Sequence, residues 1–147
     1  SAKGGELSVR GPETTVTGLR PGLLGSFQHA NAAAAVTAIS ALSRYEIRLP
    51  PKAIAAGIAN AYLPGRLEVL HDRPTVVIDG AHNPDAARKL ARAVEEVFDY
   101  ERLILVVGML DTHPAEPFLA QLAPKATAVV ATKSSRSRRR RGNSAAR

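Results

Sequence analysis

The apolar run Thr75-Val76-Val77-Ile78 leads straight into Asp79-Gly80-Ala81-His82-Asn83-Pro84. A short β-branched run that ends in an acid and a glycine, followed by Asn-Pro, predicts a strand that turns into a helix. Asparagine suits the cap and proline the first helical position. In parallel α/β folds such turns, at the carboxyl ends of strands, are where ligands bind. An acid and an imidazole at the mouth, with a helix N-terminus beside them, suit a phosphate-bearing ligand.

The flanking pattern extends this reading. After the break at Leu63-Pro64-Gly65-Arg66 the chain predicts strand 67–71, strand 75–79, helix 84–98, strand 103–107, helix 115–123 and strand 127–131. Strands alternating with helices imply an α/β fold with a mostly parallel, Rossmann-like sheet and crossover helices. Ala87, Leu90, Ala91, Val94, Val97 and Phe98 share one side of helix 84–98, with Arg88, Lys89, Arg92, Glu95 and Glu96 on the wet side. Before the break, residues 1–22 read as short strands or loops around Leu7-Ser8-Val9 and Thr15-Val16-Thr17. Ser26 offers an N-cap for a helix of about 27–43, with Ala30, Ala34, Ala38 and Leu42 at spacing four. Pro50-Pro51 opens a second helix through Ile54, Ile58 and Ala61. The resulting division is 1–62, 63–132 and a tail, 133–147.

Charge separates the tail from the rest. Residues 1–132 hold 13 basic and 13 acidic side chains, so the whole net charge of +7 comes from Lys133, Arg136, Arg138, Arg139, Arg140, Arg141 and Arg147. The tail has no large apolar residue with which to bury a face, and disorder is expected there. The absence of cysteine excludes a disulfide, a thiolate nucleophile or a cysteine metal site, and agrees with a cytoplasmic protein. With no run of about 18 apolar residues and no signal-peptide pattern, the chain reads as soluble.

Three clusters carry candidate chemistry. Asn31 lies near the start of the alanine-rich helix and could bond a nucleobase or ribose, or serve a local capping or surface role. Arg66, after Pro64-Gly65, offers a forked cation suited to phosphate, although Pro-Gly-Arg is also an ordinary turn. Asp79 ends a predicted buried strand, where an acid needs a partner or water, and could accept from ribose hydroxyls or a cation. Asn83 could equally cap helix 84–98. His82 is a hydrogen-bonding group at the mouth; no second suitable ligand at helical spacing favours a metal. Gly-x-Gly-x-x-Gly, Gly-x-x-x-x-Gly-Lys-Ser/Thr and Gly-x-Ser-x-Gly are all absent from the 147 residues, which leaves no dinucleotide fingerprint, phosphate cradle or nucleophile elbow.

Taken in order, Leu-Leu-Gly-Ser-Phe-Gln-His-Ala-Asn-Ala-Ala, Leu-Pro-Gly-Arg-Leu-Glu-Val, Ile-Asp-Gly-Ala-His-Asn-Pro-Asp-Ala and Val-Val-Gly-Met-Leu resemble the second half of bacterial folylpolyglutamate synthase/dihydrofolate synthase, in the Mur ligase superfamily. The Asp-Gly-Ala-His-Asn-Pro form differs from the Asp-Tyr-Ala-His or Tyr-Asn-Ala-Asn-Pro types of the cell-wall relatives. The resemblance implies the end of a central ATPase domain followed by an incomplete Mur ligase C-terminal domain. It further implies a monomeric ATP-dependent ligase in which a folate or dihydropteroate carboxylate takes the γ-phosphate of ATP and the resulting acyl phosphate is attacked by L-glutamate. By the same resemblance Asn31, Arg66 and Asp79 contact ATP, His82 lies near nucleotide and glutamate, and the magnesium ligands fall outside this chain. No catalytic residue is assigned, and the chain alone is expected to be inactive.

Two departures accompany the match. Phe27 stands where many members have histidine, and Asp111-Thr112-His113 lacks the lysine usual in the turn after Gly108-Met109-Leu110. From about Ser134 the sequence fits nothing in the family and reads as out-of-frame. Two other classes compete: a basic-tailed protein binding nucleic acid unspecifically through phosphates, and a fragment of a cell-wall Mur ligase.

Overall fold

The structure, a computed structural model, describes residues 5–11, 15–109 and 115–132. The turn at Asp111-Thr112-His113 and the basic tail lie outside these residues. The element order is β1 (Leu7–Arg10), β2 (Thr15–Leu19), α1 (Phe27–Ala41), α2 (Pro51–Ala59), β3 (Glu68–Asp72), β4 (Thr75–Ile78), α3 (Pro84–Val97), β5 (Ile104–Gly108), α4 (Ala115–Leu122) and β6 (Ala128–Thr132). The α/β alternation read from the sequence is present, with element ends within one or two residues of expectation. No helix of the described residues is long and apolar enough to cross a membrane.

The hydrogen bonding refines the mostly parallel sheet. Three two-stranded ladders form among the described residues: β1–β2, β3–β4 and β5–β6. Only β5 and β6 run parallel, in register from Ile104 opposite Ala128 to Gly108 opposite Thr132. β3 and β4 are antiparallel, with Glu68 opposite Ile78 and Asp72 opposite Thr75. Chain length decides this. Only Arg73 and Pro74 separate β3 from β4, whereas a parallel pair needs a crossover of a dozen residues or more. The segment from β5 to β6 supplies such a crossover through α4.

Three apolar clusters hold these elements. Val16, Leu19, Ala32, Val36, Ile54 and Ile58 pack β2 against α1 and α2. Ala87, Ala91, Phe118 and Leu122 join α3 to α4, with Leu105 and Val107 of β5 beneath. The third cluster, Leu67, Ala93 and Val97, also takes in Leu24 and Phe27 from the entry to α1. It therefore joins the regions on either side of the Leu63–Arg66 break.

The inward stripe expected on α3 is observed, and Ala93 is buried as well because the segment 24–27 covers it. On α1 the alanines at spacing four, Ala30, Ala34 and Ala38, are exposed, and the buried row is Gln28, Ala32 and Val36. Alanine carries too little apolar surface to say which way a helix faces. Ser26 also departs from expectation. It precedes α1 with helical backbone angles and no side-chain cap. Its hydroxyl instead donates to Glu96 on α3, which with Arg92 holds the Glu96 carboxyl below its ordinary range.

Candidate functional site

Arg66, Asp79 and His82 are brought together by backbone hydrogen bonds between two loops. The Gly80 N–H donates to the Gly65 carbonyl at 2.8 Å. The Leu67 N–H donates to Asp79 Oδ2, also at 2.8 Å, and the Ala81 N–H to Asp79 Oδ1 at 2.8 Å. Both carboxylate oxygens at the end of β4 thus have peptide partners, which resolves why an acid is tolerated there. Asp79 organises the site by tying the Arg66 loop to the strand-to-helix turn.

The far side of the Arg66 loop is closed by Glu68. Its Oε2 accepts the Gly65 N–H at 2.7 Å and its Oε1 the Tyr62 hydroxyl at 2.5 Å. The Tyr62 phenol, then the Gly65 N–H, hold the Glu68 carboxyl below the usual range, and the same hydrogen bond raises the Tyr62 phenol. Between these anchors Leu67 adopts φ +46°, a left-handed conformation costing roughly 1–2 kcal/mol for a non-glycine residue. Its side chain is 1% exposed. Full burial of a leucine contributes about 1.5–3 kcal/mol, enough to offset the strain. Arg66 is left exposed, with no ion pair to a described residue.

The turn after β4 differs from an open anion cradle. Pro84 has no N–H, the Ala86 N–H is taken by Asn83 Oδ1 at 2.9 Å, and the Ala87 N–H by the Asn83 carbonyl. Asp85 adds a carboxylate to the same turn, held below its ordinary range by Lys89 and then Arg88. Asn83 is therefore the cap of α3, and the phosphate-binding potential of the region rests on Arg66. His82 is exposed, and its Nδ1–H donates to the Gly80 carbonyl at 3.0 Å.

No hydrogen bond or ion pair among the described residues joins Asn31 to Arg66 or Asp79; its Nδ2 donates to Gln28 Oε1 at 2.7 Å. It lines a pocket of about 130 Å³ with Pro21, Leu23, Gln28, Ala32 and Ile58. Gly22 shapes the rim by donating its N–H to the Ile58 carbonyl, and a side chain there would run into the Ala59 carbonyl oxygen. Sequence reasoning missed Gln28, the one buried polar residue among those described, and Glu68. No group of three or more histidine, cysteine, aspartate or glutamate side chains among the described residues is placed to hold a metal ion, so none is assigned to magnesium.

Residues 65–147 match the family model described as Mur ligase, glutamate ligase domain. The chain belongs to the Mur ligase family. Its glutamate ligase domain begins, in that match, at Gly65 in the Arg66 loop, and the match runs on through 133–147, which the sequence reading had set outside the family. A probable bifunctional folylpolyglutamate synthase/dihydropteroate synthase of Haloferax volcanii is 42% identical over 118 residues, covering 79% of this chain and 13% of its own length. The dihydrofolate synthase/folylpolyglutamate synthase of Bacillus subtilis is 31% identical over 127 residues, covering 86% and 30%. Folylpolyglutamate synthase of Mycobacterium tuberculosis, solved with ADP and AMPPCP, superposes with a TM-score of 0.81 at 34% identity, covering 93% of this chain and 31% of that one. The chain thus spans less than a third of the length of these relatives. They are folate-type ligases, and the nucleic-acid and cell-wall readings gain no support from them.

Proposed function

We propose that this chain supplies one wall of the active site of an ATP-dependent ligase that joins L-glutamate to a folate or dihydropteroate carboxylate through an acyl phosphate. The observation that carries the reading is the pair of loops bearing Arg66 and Asp79, tied by the Gly80–Gly65 and Leu67–Asp79 hydrogen bonds within the matched glutamate ligase domain. A ligase that forms an acyl phosphate must neutralise charge on the transferring phosphoryl group and keep its cation still while doing so. Arg66 is the cation, its loop fixed on both flanks. Asp79 positions that loop and, through the Ala81 N–H, the turn bearing His82. Asn31 offers its amide to the base of ATP, and His82 stands at the mouth facing the nucleotide and the incoming glutamate.

In this reading residues up to 62 close a central ATPase domain, and residues from 63 belong to the glutamate ligase domain. The active unit is monomeric and cytoplasmic. Glutamate-dependent release of ADP, measured with a folate substrate and this chain mixed with the complementary N-terminal portion of the Bacillus subtilis relative, tests it. Arg66→Ala should lower kcat/KM by roughly a hundredfold or more, the usual cost of losing one group that stabilises developing charge. An Arg66→Ala chain as active as the parent would sink the assignment.

A further inference from the structure

We propose that Glu68 is a positioning residue for Arg66. Its carboxylate clips the Arg66 loop to Tyr62, so that the arginine is presented to the nucleotide phosphates only while the connection out of α2 is folded against that loop. The inference rests on the nucleotide-ligase reading above and gives the cation of that reading the residue that holds it in place.

An acid two residues from a phosphate-binding arginine is at first sight misplaced, because its charge opposes an incoming anion. Glu68 pairs with no described cation. Its oxygens are divided instead between the Gly65 N–H, at 2.7 Å, and the Tyr62 hydroxyl, at 2.5 Å. Tyr62 is 69% exposed, so packing does not hold its ring and the partner of its hydroxyl decides where it lies.

The two partners belong to different parts of the chain. Tyr62 leaves the end of α2, where the Asn60 and Ala61 N–H groups still bond to the Ala56 and Ile58 carbonyls. α2 is itself anchored through Ile54 and Ile58 in the cluster with β2 and α1. Gly65 opens the glutamate ligase match, and only Leu63 and Pro64 lie between. Glu68 therefore ties the first region to the arginine loop of the second.

That loop needs a hold. Arg66 stands between two left-handed residues, Gly65 at φ +69° and Leu67 at φ +46°. No atom of a described residue lies within 4 Å of where a Gly65 Cβ would be, so glycine serves there for its backbone angle and not for space. The β4 turn takes the Gly65 carbonyl, through Gly80, and the Leu67 N–H, through Asp79. The Gly65 N–H is left to Glu68. With both of its peptide planes fixed, Gly65 sets the direction in which the chain enters Arg66.

The test is a titration of the full chain, labelled with ¹⁵N, with ATP, followed at the amides of residues 79–83, which can report binding where Arg66 is replaced. Glu68→Ala should weaken ATP binding roughly three- to tenfold, the value of a charge-assisted hydrogen bond discounted for exposure. Loss of the charge alone would tighten binding, so the sign is decisive. Glu68→Gln, whose amide can still accept from Gly65 and donate to Tyr62, should stay within about twofold of wild type, and Tyr62→Phe should weaken binding about two- to threefold. In an Arg66→Ala background neither Glu68→Ala nor Tyr62→Phe should change the affinity further. A Glu68→Ala chain that binds as tightly as wild type, a Glu68→Gln chain as weak as Glu68→Ala, or a loss that persists without Arg66 overturns the proposal. Should Glu68→Ala fail to fold, Tyr62→Phe with and without Arg66 decides. A wild-type chain whose resonances ATP does not move overturns the nucleotide reading, and this inference with it.

Discussion

Asp79 holds the Leu67 and Ala81 N–H groups at 2.8 Å each, whereas Arg66 is exposed and pairs with no described acid. Adjacent in the site, they should separate in their effects. Asp79→Ala strands two backbone donors in a half-buried loop and should cost roughly 2 kcal/mol in urea unfolding. Arg66→Ala should stay within about 0.5 kcal/mol of wild type, as surface changes do, while abolishing the resonance shifts that ATP produces in loop 64–67. The reverse pattern would exchange their roles. Arg66, Asp79 and His82 were legible because each lies in a compact string whose residue types suggest its chemistry. Gln28 and Glu68 were not. A glutamine in an alanine-rich helix looks like any solvated polar residue until the burial of its own row is known. A glutamate two residues past an arginine does not disclose that its carboxylate folds back onto Tyr62 and Gly65.

The hairpin of β3 and β4 places Glu68 at the start of β3, where its carboxylate closes loop 62–68. The folded value of Glu68 is depressed from 4.5. The clasp is therefore complete above the ordinary glutamate range and lost as pH falls through the lower folded value. Tyr62→Phe removes the largest cause of the depression. The Glu68 carboxyl, followed by carbon-detected NMR, should then titrate closer to 4.5, and an unmoved titration would show that the phenol does not hold the loop. At this scale α3 was fully readable, because leucine, valine and phenylalanine mark a face with large apolar area at the helical period. For α1 the same method found a helix without marking its buried row. The antiparallel hairpin was written in its two-residue connection, but alternation of strands and helices alone draws attention to parallel pairing.

Across the whole molecule the apolar surface is unevenly covered. Leu105 and Val107 of β5 pack beneath α3 and α4, while Ile104 and Val106 on the opposite face are each 65% exposed, beside a half-exposed Val130 on β6. A bare apolar sheet face is a site of self-association. In the 147-residue chain Ile104→Thr with Val106→Thr should lower light scattering at a given concentration without lowering the urea midpoint appreciably. Equal scattering would assign any association to another surface. The contact that sets one half of the molecule against the other is narrower. Gly25 lies at φ +95°, and a Cβ there would stand 3.1 Å from the Ala93 Cβ and 2.7 Å from a Phe27 ring carbon. One residue with no side chain thus meets one with a single methyl group. The spacing between the entry to α1 and the flank of α3 is consequently a shim one methyl group thick. Adding a carbon atom on the Gly25 side would wedge the entry of α1 off α3 without altering Arg66, Asp79 or His82.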